Sequence, residues 1–294
     1  MKVPVIIGPT CTGKTSLALK IAGEVGCDIL SIDSRQVFKN LDIATGKYKE
    51  DLEIKKYNEY WEISGIKIWG YDLFEVNEEL NVIKFCNFAK KIIEQYKNEN
   101  KKLIITCGTG FYLNFLLGNI EYNEIDVNRK KELNNLSIPE LLSILNKFPT
   151  KPIIDEKNKP RIITTILNLE NPDLKKSKFE LDSVEFIIFE ISENREKLYK
   201  NADLFVDDIF SKNVIEEYEN SKKIYGVSKP LSGLIYSEIS EYIEKNLSYS
   251  QMIEKVKFAL HAYIRRQQTY FKKMSIDFSS NDRELLAVKI KNIL

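Results

Sequence analysis

No Cys-x-x-Cys pair occurs in this chain; its four cysteines, Cys11, Cys27, Cys86 and Cys107, stand far apart. That spacing excludes a structural zinc ribbon and fits a reducing compartment better than a disulfide scaffold. No apolar run approaches the ~18 residues that a membrane-spanning helix needs. The chain opens directly on an apolar strand, leaving no room for a signal peptide, so a soluble cytoplasmic protein with no membrane partner is expected. Charge of neither sign prevails, because 44 Lys and Arg face 43 Asp and Glu, for a formal net charge of +1. That balance neither demands nor excludes RNA, since a local basic face can exist on a neutral protein. Histidine is nearly absent, with His261 the single example. No repeat, low-complexity tract or spaced aromatic stacking platform is present.

What the chain does have begins at residue 8. Gly8-Pro9-Thr10-Cys11-Thr12-Gly13-Lys14-Thr15 fits the phosphate-binding pattern of two glycines, a lysine and a hydroxyl residue. Val3–Ile7 before it reads as a buried strand, and Ser16–Ala22 after it as an amphipathic helix. Strand, loop and helix together aim backbone N–H groups and a positive helix end at one anion. Lys14 then reaches the terminal phosphates, and the Thr15 hydroxyl is the expected ligand of a Mg²⁺ ion. A second strand, Asp28–Ile32, runs into Asp33-Ser34-Arg35-Gln36-Val37-Phe38. Ligands of open α/β sheets bind outside the strands' carboxyl ends, which brings Asp33 to the same crevice. There it could hold the magnesium of a nucleotide or act as general base for an acceptor. A small-molecule kinase would use the same residues, but Arg161 is the only arginine between Arg129 and Arg195, so no arginine-rich phosphate lid is evident.

At 294 residues the chain suits one large domain with an insertion, or two small ones. The first ~120 residues alternate strands (3–7, 28–32, 103–107) with helices (14–25, 81–97), and Tyr60–Trp69 reads as a hairpin turning on Gly65. The expected division is an α/β core over 1–122, a helical insertion over 123–175 that could close over an acceptor, and a mostly helical remainder over 176–294. Helical spacing marks Ile138–Leu145 and Arg161–Leu167 within the insertion. Val184–Ile191 returns to the sheet. Four helical segments follow, the longest spanning Ser248–Lys273, then a short strand at 275–279 and a closing helix over 281–294. Arg265 and Arg266 point about 100° apart on their helix. One can face the phosphate crevice while the other meets RNA backbone or solvent. Cys107 reads as a small buried hydrophobe rather than a nucleophile.

Taken together, these blocks resemble the tRNA dimethylallyltransferase family. The resemblance is carried by the loop, by Asp33–Phe38, by Leu41-Asp42-Ile43-Ala44-Thr45-Gly46-Lys47, by Cys107-Gly108-Thr109-Gly110-Phe111-Tyr112, by Asn158-Lys159-Pro160-Arg161-Ile162 and by Ile264–Lys272, in the family's order. It implies a P-loop NTPase-like parallel sheet flanked by helices, with a helical insertion domain, in a protein expected to act as a monomer. It further implies transfer of a dimethylallyl group from its diphosphate to N6 of the adenine 3′ of the anticodon in a tRNA stem-loop. The loop residues, with Thr10 as an added donor, then hold the diphosphate, and Asp33 takes the amine proton. Ser34, Arg35, Gln36, Thr109 and Arg161 fall on the tRNA side by the same likeness, and Arg265 and His261 on the diphosphate, with Arg266 toward RNA.

Two departures bear on this. The family's paired histidines have no counterpart in Lys67–Asp72, and a family arginine of the diphosphate site falls on His261, which leaves the charge of the site in question. A neutral His261 could still donate one hydrogen bond or simply pack on its helix. The adenylate isopentenyltransferases carry the same Gly-Pro-Thr-Cys-Thr-Gly-Lys-Thr loop, so a free nucleotide is the rival acceptor. A non-catalytic RNA-binding module is the reading if His261 disables the site.

Overall fold

A computed structural model describes residues 1–47, 52–123, 126–172 and 176–294. It divides into two units, Met1–Leu117 with Leu181–Leu294, and Gly118–Glu180. The first opens with β1 (Lys2–Ile7), α1 (Lys14–Val25) and β2 (Asp28–Ile32), followed by the short strands β3 (Ile54–Lys56), β4 (Tyr60–Ile63) and β5 (Ile66–Trp69). Then come α2 (Val82–Asn98), β6 (Leu103–Cys107) and α3 (Gly110–Leu116). The central strands are apolar along nearly their whole length because both faces of the sheet are covered. The strands expected from the sequence do not include β3, a three-residue piece whose Lys55 and Lys56 are exposed and give no apolar signal.

The second unit holds β7 (Glu121–Tyr122), α4 (Val127–Asn135), α5 (Ile138–Leu145), α6 (Lys159–Glu170) and β8 (Ser177–Lys178). Ser137 and Glu140 form a capping box that starts α5, and Asn158 caps α6 at the N–H of Arg161. Leu133, Leu141, Leu145, Ile162 and Ile166 give these helices a core of their own. The insertion was expected over 123–175, and its outer limit there lies outside the described residues. The unit is wider because β7 and β8 pair as an antiparallel ribbon only two residues long, below what a sequence pattern reveals.

The chain returns to the first unit with β9 (Glu185–Ile191), α7 (Arg195–Ser211), α8 (Val214–Tyr225), α9 (Tyr236–Ile243), α10 (Tyr249–Phe271), β10 (Phe278–Ser280) and α11 (Arg283–Lys291). One sheet runs β10-β9-β1-β6-β2-β5-β4-β3. Its first six strands are parallel to their neighbours, whereas the β3–β4–β5 meander at the other edge is antiparallel. Ile6, Ile29 and Ile104 pack under Leu17 and Ile21 of α1 and Leu286 and Ile290 of α11. Register fixes the working end of this sheet: Ile7, Cys107 and Ile32 lie level across β1, β6 and β2. The residues that follow each of them, 8 onward, 108 onward and 33 onward, therefore leave the sheet side by side.

Candidate active site

The loop after β1 is held rigid by its own side chains. Lys14 Nζ donates to the carbonyls of Gly8 and Pro9 at 2.8 and 2.7 Å, and the buried Thr12 hydroxyl donates to Pro9 at 2.8 Å. Gly13 sits at φ 81°, a left-handed conformation that suits glycine, and leads directly into α1. Burial pushes the Lys14 ammonium below the ordinary lysine pKa of 10.5, and the Asp33 carboxylate partly restores it. Thr10, Cys11, Gly13, Lys14 and Thr15 face a cavity of about 280 Å³, while Gly8, Pro9 and Thr12 are not part of its wall.

Asp33 lines the same cavity. Its Oδ1 accepts the N–H groups of Arg35 at 2.8 Å and Gln36 at 3.3 Å, which fixes the carboxylate in place. Among the described residues no protein donor reaches Oδ2. That oxygen occupies the space a Cβ on residue 108 would take, so Gly108 is the residue the approach requires. Beside it, the Thr109 hydroxyl accepts Ser34 N–H at 3.0 Å and donates to Ser34 Oγ at 3.2 Å. Gln36 is tied between Ser31 Oγ (2.8 Å) and the carbonyl of Thr45 (3.1 Å), and Arg35 Nη2 donates to Leu234 O at 2.7 Å. Four of the residues expected on the acceptor side, Ser34, Arg35, Gln36 and Thr109, thus gather at the ends of β2 and β6. Arg161 belongs to the other unit, exposed in the first turn of α6. Burial pushes the Cys107 thiol up to about 12, so it is inert at neutral pH, as a packed hydrophobe would be.

The expectation that Arg265 or Arg266 turns into the crevice is corrected by α10. Leu260, Tyr263 and Gln267 line the cavity from this helix. At 100° per residue, positions 265 and 266 lie about 140° and 240° around the helix from Leu260. Both are exposed: Arg265 donates to the Tyr199 hydroxyl at 2.9 Å, and Arg266 lies over the Tyr263 ring. His261 is also absent from the cavity wall. It pairs with Asp203 at 2.9 Å and stacks on Tyr199 at 4.0 Å between ring centres.

Three contacts to the loop went unread in the sequence. Gln267 accepts Thr10 N–H at 2.9 Å and donates to Gly108 O at 2.8 Å, joining the phosphate loop to the end of β6. Asn201 of α7 donates to Cys11 O at 3.2 Å, and Arg283 at the start of α11 donates to Thr12 O at 2.8 Å. For Gln267 a signal existed: Leu260, Ile264, Gln267 and Phe271 form the buried stripe of α10, and a glutamine on such a stripe needs polar partners. Asn201 and Arg283 gave none, being polar residues on helix surfaces.

The sequence profile of the IPP transferases matches residues 36–274, most of the chain. The chain belongs to the IPP transferase family. A profile of the isopentenyl transferases also matches, over residues 1–65. Among curated relatives, the tRNA dimethylallyltransferase of Lachnoclostridium phytofermentans is 31% identical over 286 residues, covering 92% of this chain and 88% of its own. That of Acetivibrio thermocellus is 30% identical over 294 residues, with 92% and 89% covered. The tRNA isopentenylpyrophosphate transferase of Staphylococcus epidermidis has a similar solved structure, with TM-score 0.68, 26% identity and coverage of 99% of this chain and 97% of that one. The Bacillus halodurans enzyme shares the fold at TM-score 0.71 and 21% identity, over 99% and 94% of the two chains. In this IPP transferase, then, the loop after β1 and Asp33 after β2 confront each other across one cavity.

Proposed function

We propose that this IPP transferase moves a dimethylallyl group from dimethylallyl diphosphate to N6 of the adenine 3′ of the anticodon in tRNA. The observation that carries the chemistry is Asp33, anchored through Oδ1 and open at Oδ2, in one cavity with the phosphate loop. Loop amides and Lys14 hold the diphosphate, where Lys14 exchanges its two carbonyl partners for phosphate oxygens. As the allylic C–O bond breaks, both electrons leave with the diphosphate, and the fixed donors meet the charge that develops there. The carbon left electron-poor bonds to N6, and Asp33 Oδ2 takes the N6 proton. The adenine amine is a weak nucleophile because its lone pair is delocalised, so a base at that point lowers the barrier.

The cavity wall offers the Thr15 hydroxyl as an oxygen ligand, and the described residues hold no cluster of three protein ligands for a metal. That set fits Mg²⁺, which takes one or two protein oxygens and keeps phosphates and waters for the rest. Thr15 would hold the ion, whose chemistry is to neutralise charge on the leaving diphosphate.

The tRNA acceptor is supported by the curated relatives that match nearly the whole chain. Ser34, Arg35, Gln36, Thr109, Arg161 and Arg266 are assigned to the acceptor, and Arg265 to RNA backbone rather than to the diphosphate. The helical unit is assigned to tRNA contact. No helix among the described residues is long and apolar enough to cross a membrane, and action in the cytoplasm as a monomer completes the proposal. The match of residues 1–65 to the isopentenyl transferases favours one second reading, a free adenylate acceptor. Labelled dimethylallyl diphosphate incubated with an anticodon stem-loop or with AMP separates them. Transfer to the stem-loop is expected; efficient transfer to AMP with none to the stem-loop would overturn the assignment.

A further inference from the structure

The cavity has a hydrocarbon end that the phosphate chemistry leaves unused. Ala44, Phe205, Ile235 and Leu260 supply its wall. Ile235 is fully buried and sits at φ 77°, ψ −52°, in the γ-turn region. A β-branched side chain is a true outlier at positive φ, where glycine would be at ease. Such a conformation persists only when its surroundings over-determine it, and it clusters where function needs a side chain aimed precisely.

The surroundings do so here from three sides. Arg35 Nη2 grips the carbonyl of Leu234 at 2.7 Å, and Glu238 accepts the Ile235 N–H at 2.9 Å. The next residue, Tyr236, donates its hydroxyl to Glu217 at 2.7 Å. Glu217 in turn accepts the N–H groups of Asp42, Ile43 and Ala44 at 2.6, 2.7 and 3.1 Å. Turn 234–236 and loop 42–46 are therefore one wall, tied by a single carboxylate. Phe205 reaches that wall from α7: a Cβ built on Gly46 would lie 3.5 Å from its ring. Asn201 on the same helix holds the phosphate loop at Cys11. Phosphate end and apolar end are thus one helical turn apart, a rise of about 6 Å for four residues.

We propose that Ile235, with Phe205, sets the depth of the donor's hydrocarbon pocket and restricts this enzyme to a five-carbon allylic diphosphate; the inference rests on the prenyl-transfer reading above. The wall suits a hydrocarbon rather than a purine, since its four side chains offer no hydrogen-bonding group to a ring edge. A dimethylallyl chain runs through three C–C bonds of ~1.5 Å each, about 4 Å in all, and matches the available turn of helix. A ten-carbon geranyl chain is about twice as long and meets Ile235 and Phe205. The buried isoleucine occupies a backbone position made for glycine because the branch is what closes the pocket.

The test is donor choice in the full chain, with an anticodon stem-loop as acceptor and dimethylallyl or geranyl diphosphate as donor. Ile235→Gly removes the branch and relieves the backbone, and Phe205→Ala opens the opposite side. Either variant should raise the geranyl-to-dimethylallyl ratio of kcat/KM by roughly tenfold or more. Calorimetric binding of the two unreactive thiolodiphosphate analogues should show the same shift without turnover. A parent that accepts both chains alike, or folded variants that keep the parent's ratio, would overturn the inference; should one variant fail to fold, the other decides. A parent that binds neither analogue would instead refute the prenyl-donor reading itself.

Discussion

In the mechanism proposed above, Asp33 serves as a base through the way its neighbours hold it rather than through its own chemistry. Two backbone N–H groups hold Oδ1, which leaves Oδ2 as the oxygen the proposal assigns to the N6 proton. Asp33→Asn should leave diphosphate binding intact and lower kcat by ~10²–10⁴, the usual worth of a positioned general base. Single-turnover transfer to a stem-loop measures it, and activity within about threefold of the parent would remove Asp33 from that role. Lys14 gives a pH prediction. Burial lowers its pKa below 10.5, so the native state releases this proton more readily than the unfolded chain does. Its contribution to stability therefore rises as pH climbs from the lowered value toward 10.5, and below that window the buried charge is a constant cost. Diphosphate affinity moves the opposite way, falling through the same window as the cation is lost. Calorimetry with inorganic diphosphate should show the fall beginning below pH 10.5, and Lys14→Arg, which stays charged, should abolish it.

Elements matter here through their ends. The level register of Ile7, Cys107 and Ile32 brings three strand ends together, and the sequence foretold all three strands because buried parallel strands read as apolar runs. Gly108 follows the middle one with no room for a methyl group. Gly108→Ala should fold, since β6 is untouched, yet displace Asp33 and lower kcat by roughly 10²-fold, the typical effect of a misplaced catalytic group. Circular dichroism beside kinetics would separate this from unfolding. The phosphate loop, the hairpin at Tyr60–Trp69 and the long C-terminal helix were equally legible, because each has a local pattern. Illegible were the contacts that fasten the ends: Gln267 to Thr10 and Gly108, Asn201 to Cys11, Arg283 to Thr12, Glu217 to loop 42–44. These link a side chain to backbone far along the chain, and nothing local encodes them. The strained Ile235 was invisible for the same reason, since φ is imposed by Arg35, Glu217 and Glu238 rather than chosen by isoleucine. Gln267→Leu tests the strongest fastening: it leaves Thr10 N–H and Gly108 C=O without their partner in a buried place, a loss of about 1–3 kcal/mol in urea unfolding.

At the scale of the molecule the question is how a chain of net charge +1 engages a polyanion. Long-range attraction is weak, so affinity must come from local cations. On α10 the two arginines outside the inner cavity are both exposed, and Arg265, Arg266, Thr269, Tyr270 and Lys273 line a groove of about 410 Å³. Phosphate contacts there would be paid in released counterions, giving a log–log salt slope of roughly 0.7–0.9 for each phosphate neutralised. If tRNA lies along this groove, the triple change Arg265→Ala, Arg266→Ala and Lys273→Ala should cut the slope by about two to three and weaken stem-loop binding most at low salt. Diphosphate affinity should stay near the parent's, because none of the three lines the inner cavity. Filter binding of an anticodon stem-loop between roughly 50 and 200 mM salt measures this directly. An unchanged slope would move the RNA path elsewhere on the molecule, and a steep loss of diphosphate binding would return these arginines to the role the sequence first suggested for one of them.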